Sequence, residues 1–277
     1  MREMSFAMLP GIGAVREQRI WESGVRSWET FLEIEKIPGI SKKRKRYLDA
    51  VLRQGISQGA EPGFLSDYFP NNLHWRVYED LREDAAYLDI ETNGLSRYSS
   101  ITVIGIHRRK GSRWISLVKG MGLTSATLRE AVEGVSMFVT YNGASFDLPF
   151  IRSRFSGCLP DVPHFDLRFA AHRLGYPGGL KRLEHHLGIN RDFEVTNLAG
   201  EDALIYWKMW ERDRNRKALR LLRKYNREDV ENLIPIADRL YSEMVEHTIG
   251  RIEGTTCDDE GNQSEKTPPQ SEVHRSA

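Results

Sequence analysis

The chain has 277 residues and a mass of 31.9 kDa, 40% hydrophobic and 29% charged, so it can bury the core of one large domain or of a medium domain plus a small one. Its 40 Lys and Arg against 39 Asp and Glu leave a formal net charge of +1, which excludes a uniformly basic coat for nucleic acid and requires any attraction to phosphate to come from local patches. Two cysteines, Cys158 and Cys257, exclude a disulfide scaffold and a four-cysteine zinc centre, and with no apolar run of about 18 residues the expectation is a soluble cytoplasmic protein with no membrane partner.

Residues 1–60 read as short helices broken by Pro-Gly turns, with Val15, Ile20, Trp21, Val25, Trp28, Phe31 and Leu32 recurring at helical spacing. Residues 61–83, with Pro62-Gly63 and Pro70-Asn71-Asn72, read as a linker carrying one short helix. Strands are expected over 85–90, 100–106 and 113–118, the last two joined as a hairpin through Arg109-Lys110-Gly111-Ser112. A helix capped at Thr124 or Ser125 and stopped at Gly134 precedes a strand over 136–141, and from there to His247 the pattern is mainly helical. Residues 248–277, with Asp258-Asp259-Glu260 and Thr267-Pro268-Pro269, show no periodicity and read as a disordered tail. Three strands, a helix, a strand and then helices make an α/β or α+β sheet domain over 84–247, preceded by a small all-α module.

Three blocks hold acids that chemistry could use. In Leu88-Asp89-Ile90-Glu91-Thr92-Asn93-Gly94, the period of two along a strand turns Asp89 and Glu91 to one side and Leu88 and Ile90 into a core. Two neighbouring acids at a strand end repel, and a divalent cation removes that cost; alone, the pair reads more readily as two solvated surface acids. In Tyr141-Asn142-Gly143-Ala144-Ser145-Phe146-Asp147, the Asn-Gly pair is a turn, Asn142 offers an amide to a substrate or to that turn, and Asp147 opens a helix, where capping is the plainer role. In Tyr225-Asn226-Arg227-Glu228-Asp229, Tyr225 and Asp229 share a helix face.

The three blocks come in order, Asp147 lying 58 residues after Asp89 and Asp229 a further 82 on. Together they resemble the three motifs of the DEDD, or DnaQ-like, 3′–5′ exonuclease superfamily within the ribonuclease H-like fold. The wording of the second block and the later Gly200-Glu201-Asp202-Ala203 is closest to the YprB-like ribonuclease H-like family. The resemblance, over roughly 84–240, implies a mixed sheet flanked by helices and a metal-dependent nuclease. Asp89, Glu91, Asp147 and Asp229 would be both catalytic and metal-binding. Lys224 stands where one branch has His, and Tyr225 matches the branch that has Tyr. The implied cofactors are two divalent cations, Mg²⁺ or Mn²⁺, about 4 Å apart on the scissile phosphate. Tyr225 would orient the attacking water, since an ordinary phenol is too weakly acidic to act as a base near neutral pH. Thr92 and Asn142 are the substrate contacts expected beside them. A structure-specific endonuclease on the same fold and a non-catalytic nucleic-acid-binding scaffold remain as alternatives.

In the N-terminal module, Leu9-Pro10-Gly11-Ile12-Gly13 resembles a helix-hairpin-helix, whose hairpin amides would take the phosphates of DNA or RNA through Gly11 and Gly13. Ile37-Pro38-Gly39-Ile40-Ser41 looks like a degenerate second copy, and the basic run Lys42-Lys43-Arg44-Lys45-Arg46 follows it as a substrate-binding patch. A pair of turns with a solvated charged face is the competing reading. The basic stretch from Arg212 to Lys224 reads equally as a substrate contact or a solvated helix. Asp166 is a secondary acid or a cap, and Cys158 a small buried residue.

Overall fold

The computed structural model describes residues 1–254 except 95 and 97. Leu95 of the first acidic block and the expected tail from residue 255 on, Cys257 and Asp258-Asp259-Glu260 included, lie outside the described residues.

The N-terminal part is built from α1 (Ala14–Glu22), α2 (Trp28–Glu33), α3 (Lys42–Gln58) and α4 (Pro62–Tyr68). Three of them start on a side-chain cap: Ser27 accepts from the Thr30 amide, Ser41 from that of Arg44, and Glu61 from those of Gly63 and Phe64. Pro62 occupies the first turn of α4, where its missing N–H removes no helix bond. Gly11 and Gly39 make the turns with φ of 71° and 75°, in the left-handed region that glycine enters without strain.

The stretch expected as a linker with one short helix is instead ordered structure throughout. After α4 come a 3₁₀ segment (Asn71–Val77), α5 (Tyr78–Leu81) and a second 3₁₀ turn (Arg82–Asp84). Phe64, Leu65, Phe69, Trp75, Val77, Tyr78 and Leu81 are buried there, in a core that also holds Phe6, Trp28, Leu48, Tyr87 and Ile236. A buried ion pair ties the N-terminus to this stretch. Glu17 on α1 accepts from Arg76 at 2.7 and 3.0 Å and from the Phe6 and Ala7 amides at 2.8 Å, and Arg76 also donates to Ser5 Oγ at 2.6 Å.

The remaining elements, in chain order, are β1 (Ala85–Thr92), β2 (Ile101–Arg108), β3 (Arg113–Val118), α6 (Ser125–Ala131), β4 (Met137–Thr140), α7 (Asp147–Arg154), β5 (His164–Asp166), α8 (Leu167–Arg173), α9 (Leu180–His186), α10 (Gly200–Asp213), α11 (Arg216–Glu231) and α12 (Leu233–Gly254). The sheet order is β3-β2-β1-β4-β5. The β1–β2 and β2–β3 pairs are antiparallel, and β1–β4 and β4–β5 parallel. This is the ribonuclease H-like mixed sheet flanked by helices. β5 lies inside the region expected to be helical; at three residues after Pro163 it is too short to show an alternating pattern. The last helix runs to Gly254, past the expected end of the domain at 247.

The pleat of β1 sorts the core. Ala86, Leu88 and Ile90 pack with Leu148 and Ile151 of α7 on one side, while Ala85 and Tyr87 pack with Val230, Leu233 and Ile236 of α11 and α12 on the other. β4 pairs with β1 only from Ala85 to Tyr87, so the second half of β1 runs on past its parallel neighbour. That gap at the carboxyl ends of the parallel strands is where open α/β sheets place ligands.

Removing one partner of a buried pair leaves the other charge uncompensated. Arg76→Ala is therefore expected to cost about 3 kcal/mol of stability, read as a lower denaturation midpoint in guanidinium at unchanged slope.

Candidate active site

Asp89 and Glu91, two apart on β1, lie on the α11 side of the sheet, opposite Leu88 and Ile90, as the strand period requires. Asp229 comes to them from α11. One carboxylate oxygen from each of the three lies within 4.8 Å of the others. Glu91 and Asp229 are buried and Asp89 half-buried.

α11 reaches β1 because β2 gives way. Gly105 is the β2 partner of Asp89 in the ladder. A Cβ on Gly105 would strike Asn226 Oδ1 and the Trp114 ring, so a glycine in mid-strand is what lets the helix close down. Asn226, fully buried one residue after Tyr225, then donates from Nδ2 to Asp89 Oδ2 at 2.8 Å and to the Asp89 carbonyl at 3.3 Å.

Asp147 does not cap α7, although it opens it. Its Oδ1 accepts from the Ile90 amide at 3.0 Å, which ties the start of α7 to β1 in the stretch that β4 leaves unpaired. This engages one oxygen, leaves the second free of that bond, and keeps Asp147 outside the group of three. The loop before it is fixed by Asp166, the N-cap of α8, which accepts from the Asn142, Ala144 and Arg168 amides at 2.8, 3.0 and 3.1 Å. Asn142 takes a φ of 68°, a conformation asparagine tolerates, and its side-chain oxygen accepts from Arg168 at 2.6 Å. Gly143 carries no Cβ because Thr140 fills that space, its hydroxyl accepting from the Gly143 amide at 3.0 Å.

Asp229 is held differently. The buried Arg191 donates to it and, through Nε and Nη2, to both oxygens of Glu184 at 2.7 Å each. Asn232 also donates to Glu184 at 2.9 Å. The Arg191 guanidinium and the Lys181 ammonium stand 5.6 and 5.5 Å from the centre of the Tyr225 ring.

The electrostatics follow from this crowding. Burial, with the surrounding carboxylates, pushes Asp89 and Glu91 well above the usual carboxylate range. Burial raises Asp147 to about 7 against the Ile90 bond, and Asp229 to about 6 against Arg191. Burial, Asp229 and Glu91 together push the Tyr225 phenol up, so it stays protonated. Crowded oxygen donors that resist ionisation fit a hard divalent cation.

The other residues expected at the site are engaged differently or lie in the N-terminal part. Thr92 is buried beside Glu91, and its hydroxyl donates to the Gly94 carbonyl at 2.7 Å rather than outward. Gly11, Gly13 and the basic run lie together in the N-terminal part: Arg44 donates to the Pro10 carbonyl at 2.8 Å and Arg16 to that of Gly11 at 2.6 Å. Lys42, Lys43, Arg44 and Arg46 are exposed, but Lys45 is not part of a surface patch. It is 5% exposed, paired with Asp49 at 2.6 Å and set against the Phe31 ring, because it shares the inner face of α3 with Leu48 and Leu52. In the Arg212–Lys224 stretch, Arg212 pairs with Asp213, Arg220 with Glu194, and Lys224 with Asp192 and Glu194. Cys158 is buried at 3% exposure, as expected. Sequence reading missed Asn226 and Arg191. Asn226 lies inside the third block, three residues before Asp229, so helix spacing could have flagged it. Arg191 is 38 residues away in sequence, with no local signal.

A family model described as the RNase H superfamily matches residues 86–241. No curated protein matches. Among solved structures, the family B DNA polymerase from the hyperthermophilic archaeon Pyrobaculum calidifontis is similar at 15% identity and a TM-score of 0.44, over 56% of this chain and 24% of that one.

Asp147 at about 7, against an ordinary 3.8, sets a pH window. An acid whose folded-state value is raised contributes stability below 3.8 that is lost as pH rises through about 7. Metal binding needs the ionised form and relieves that loss. Melting in chelator should therefore fall across this window, and the rise in Tm on adding Mn²⁺ should be larger above it than at about pH 5. An equal metal-induced rise at both ends would contradict the assignment.

Proposed function

The chain belongs to the RNase H superfamily, and on that premise we propose that it is a metal-dependent 3′–5′ exonuclease of the DEDD type, in the tyrosine branch and nearest to the YprB-like family. The observation that carries this reading is the convergence of Asp89, Glu91 and Asp229 within 4.8 Å at the end of β1, with Asp147 and Tyr225 beside them. The superfamily fold and the carboxylate cluster together support nuclease chemistry on a nucleic-acid strand.

Asp89, Glu91, Asp229 and the second oxygen of Asp147 would hold two Mg²⁺ or Mn²⁺ ions. When bound, these supply a Lewis acid for the phosphate, activation of water and stabilisation of the leaving oxygen. The chain's own residues set the geometry for that chemistry. Asn226 keeps Asp89 turned into the cleft. The Ile90 amide anchors Asp147. Arg191 fixes Asp229 and packs over the Tyr225 ring. The protonated Tyr225 hydroxyl donates a hydrogen bond and so orients the nucleophile without taking its proton.

The N-terminal helices would grip the nucleic-acid backbone of DNA or RNA. In support, no side chain caps the first turn of α1 at Gly13, and Arg16 and Arg44 stand at the hairpin. The degenerate second copy offers less, since Ser41 already caps α3.

Single- and double-stranded DNA and RNA labelled at the 5′ end, incubated with Mg²⁺ or Mn²⁺, should give a ladder shortening from the 3′ end. Asp89→Ala should abolish it. Internal cuts without a ladder would place the activity with endonucleases, and unchanged turnover by Asp89→Ala would remove the carboxylates from the chemistry.

A further inference from the structure

Lys181, the second residue of α9, carries its ammonium to 5.5 Å from the centre of the Tyr225 ring. Two contacts fix the helix that presents it. Glu184, buried on α9 with Leu183, is clamped by Arg191 and Asn232. The turn before α9 is tied to the second acidic block, where Tyr141 donates its hydroxyl to the Gly178 carbonyl at 2.8 Å. The ammonium therefore stands beside the phenol of the third block, on a helix anchored to the second.

Its surroundings leave that charge unanswered. Among the described residues, no hydrogen bond or ion pair engages Lys181 Nζ. The other cations beside Tyr225 are spent, Arg191 on Glu184 and Asp229, and Lys224 on Asp192 and Glu194. Burial, with Arg191 nearby, holds the Lys181 ammonium below its usual range, although Asp229 and Glu184 stand close enough to oppose this without touching it. The ring gives some return for half-burying a cation, but three N–H donors are left without an acceptor. A point charge on a flexible four-carbon stem suits an incoming phosphate oxygen. Had the lysine served only to neutralise Asp229, it would pair with that carboxylate, as Arg191 does.

We propose that Lys181 is a substrate-binding residue whose ammonium takes a non-bridging oxygen of a backbone phosphate lying beside Tyr225 and Asp229. The proposal rests on the nuclease reading for the identity of the ligand. It gives the two side chains over the Tyr225 ring different tasks: Arg191 holds a carboxylate, and Lys181 holds the strand. A phosphate carries no base identity, so this contact is blind to sequence.

The test is fluorescence anisotropy with the full chain carrying Asp89→Ala, so that bound strand is not cut, titrated in Mg²⁺ over a range of KCl. The probes are oligothymidylate labelled with fluorescein at the 5′ end and the same oligomer with uncharged methylphosphonate linkages at its 3′ end. Lys181→Gln and Lys181→Arg are added to this parent, and circular dichroism checks that both fold. Lys181→Gln should raise Kd for the ordinary probe about tenfold at low salt. It should also flatten the slope of log Kd against log salt by about 0.7, the share of one phosphate contact on a single strand. Lys181→Arg keeps the charge and should keep the slope. On the methylphosphonate probe, the parent and Lys181→Gln should bind alike. Equal slopes for the parent and Lys181→Gln overturn the proposal, whatever happens to Tm, and so does a Lys181→Gln penalty that persists on the uncharged probe. A parent that binds neither probe overturns the nuclease reading itself, which separates that failure from loss of the lysine contact alone.

Discussion

The structure is organised around the repulsion between carboxylates gathered at the end of β1. Three of them are held in the buried cleft, each by a different restraint. Asp89 is held by the Asn226 amide group, Asp147 by the Ile90 backbone N–H, and Asp229 by Arg191, which is itself clamped on Glu184. These restraints reach into distant elements. Gly105 on β2 admits Asn226, Asp166 on β5 fixes the loop that presents Asp147, and the segment between α9 and α10 delivers Arg191. The resulting site is set in geometry and short of positive charge, the condition under which divalent cations bind oxygen ligands.

The N-terminal helices are built into the same core rather than appended to it. Glu17 and Arg76 neutralise each other within that core, and the segment that carries Arg76 runs directly into α5 and β1. Trp75, next to Arg76, lines a cavity together with Leu148 and Arg152 of α7, and Arg76 stands 5.7 Å from its ring centre. Rigid placement of this segment therefore bears on the cavity wall as well as on stability.

Much of the site was legible in the sequence for simple geometric reasons. The period of two along β1 sufficed to turn Asp89 and Glu91 to one side, and a four-residue helix step placed Tyr225 beside Asp229. What stayed illegible depends on contacts far apart in the chain. The approach of Asn226 to Gly105 and the Arg191–Asp229 contact leave no local pattern, and the same is true of the Glu17–Arg76 pair across 59 residues. The segment 61–83 reads as a linker because its prolines and asparagines are turn formers, yet its aromatic residues are buried in the core. Lys45 shows the reverse error. Five consecutive basic residues on a helix cannot all face water, and periodicity with Leu48 and Leu52 assigns Lys45 to the inside.

The central claim is that these carboxylates form a cation site. Anomalous diffraction from crystals of the full chain soaked in Mn²⁺ tests it most directly. The account predicts anomalous density between Asp89, Glu91 and Asp229, lost in Asp89→Ala crystals. Mn²⁺ bound only elsewhere, with Asp89 still paired to Asn226 and Asp229 to Arg191, would contradict it.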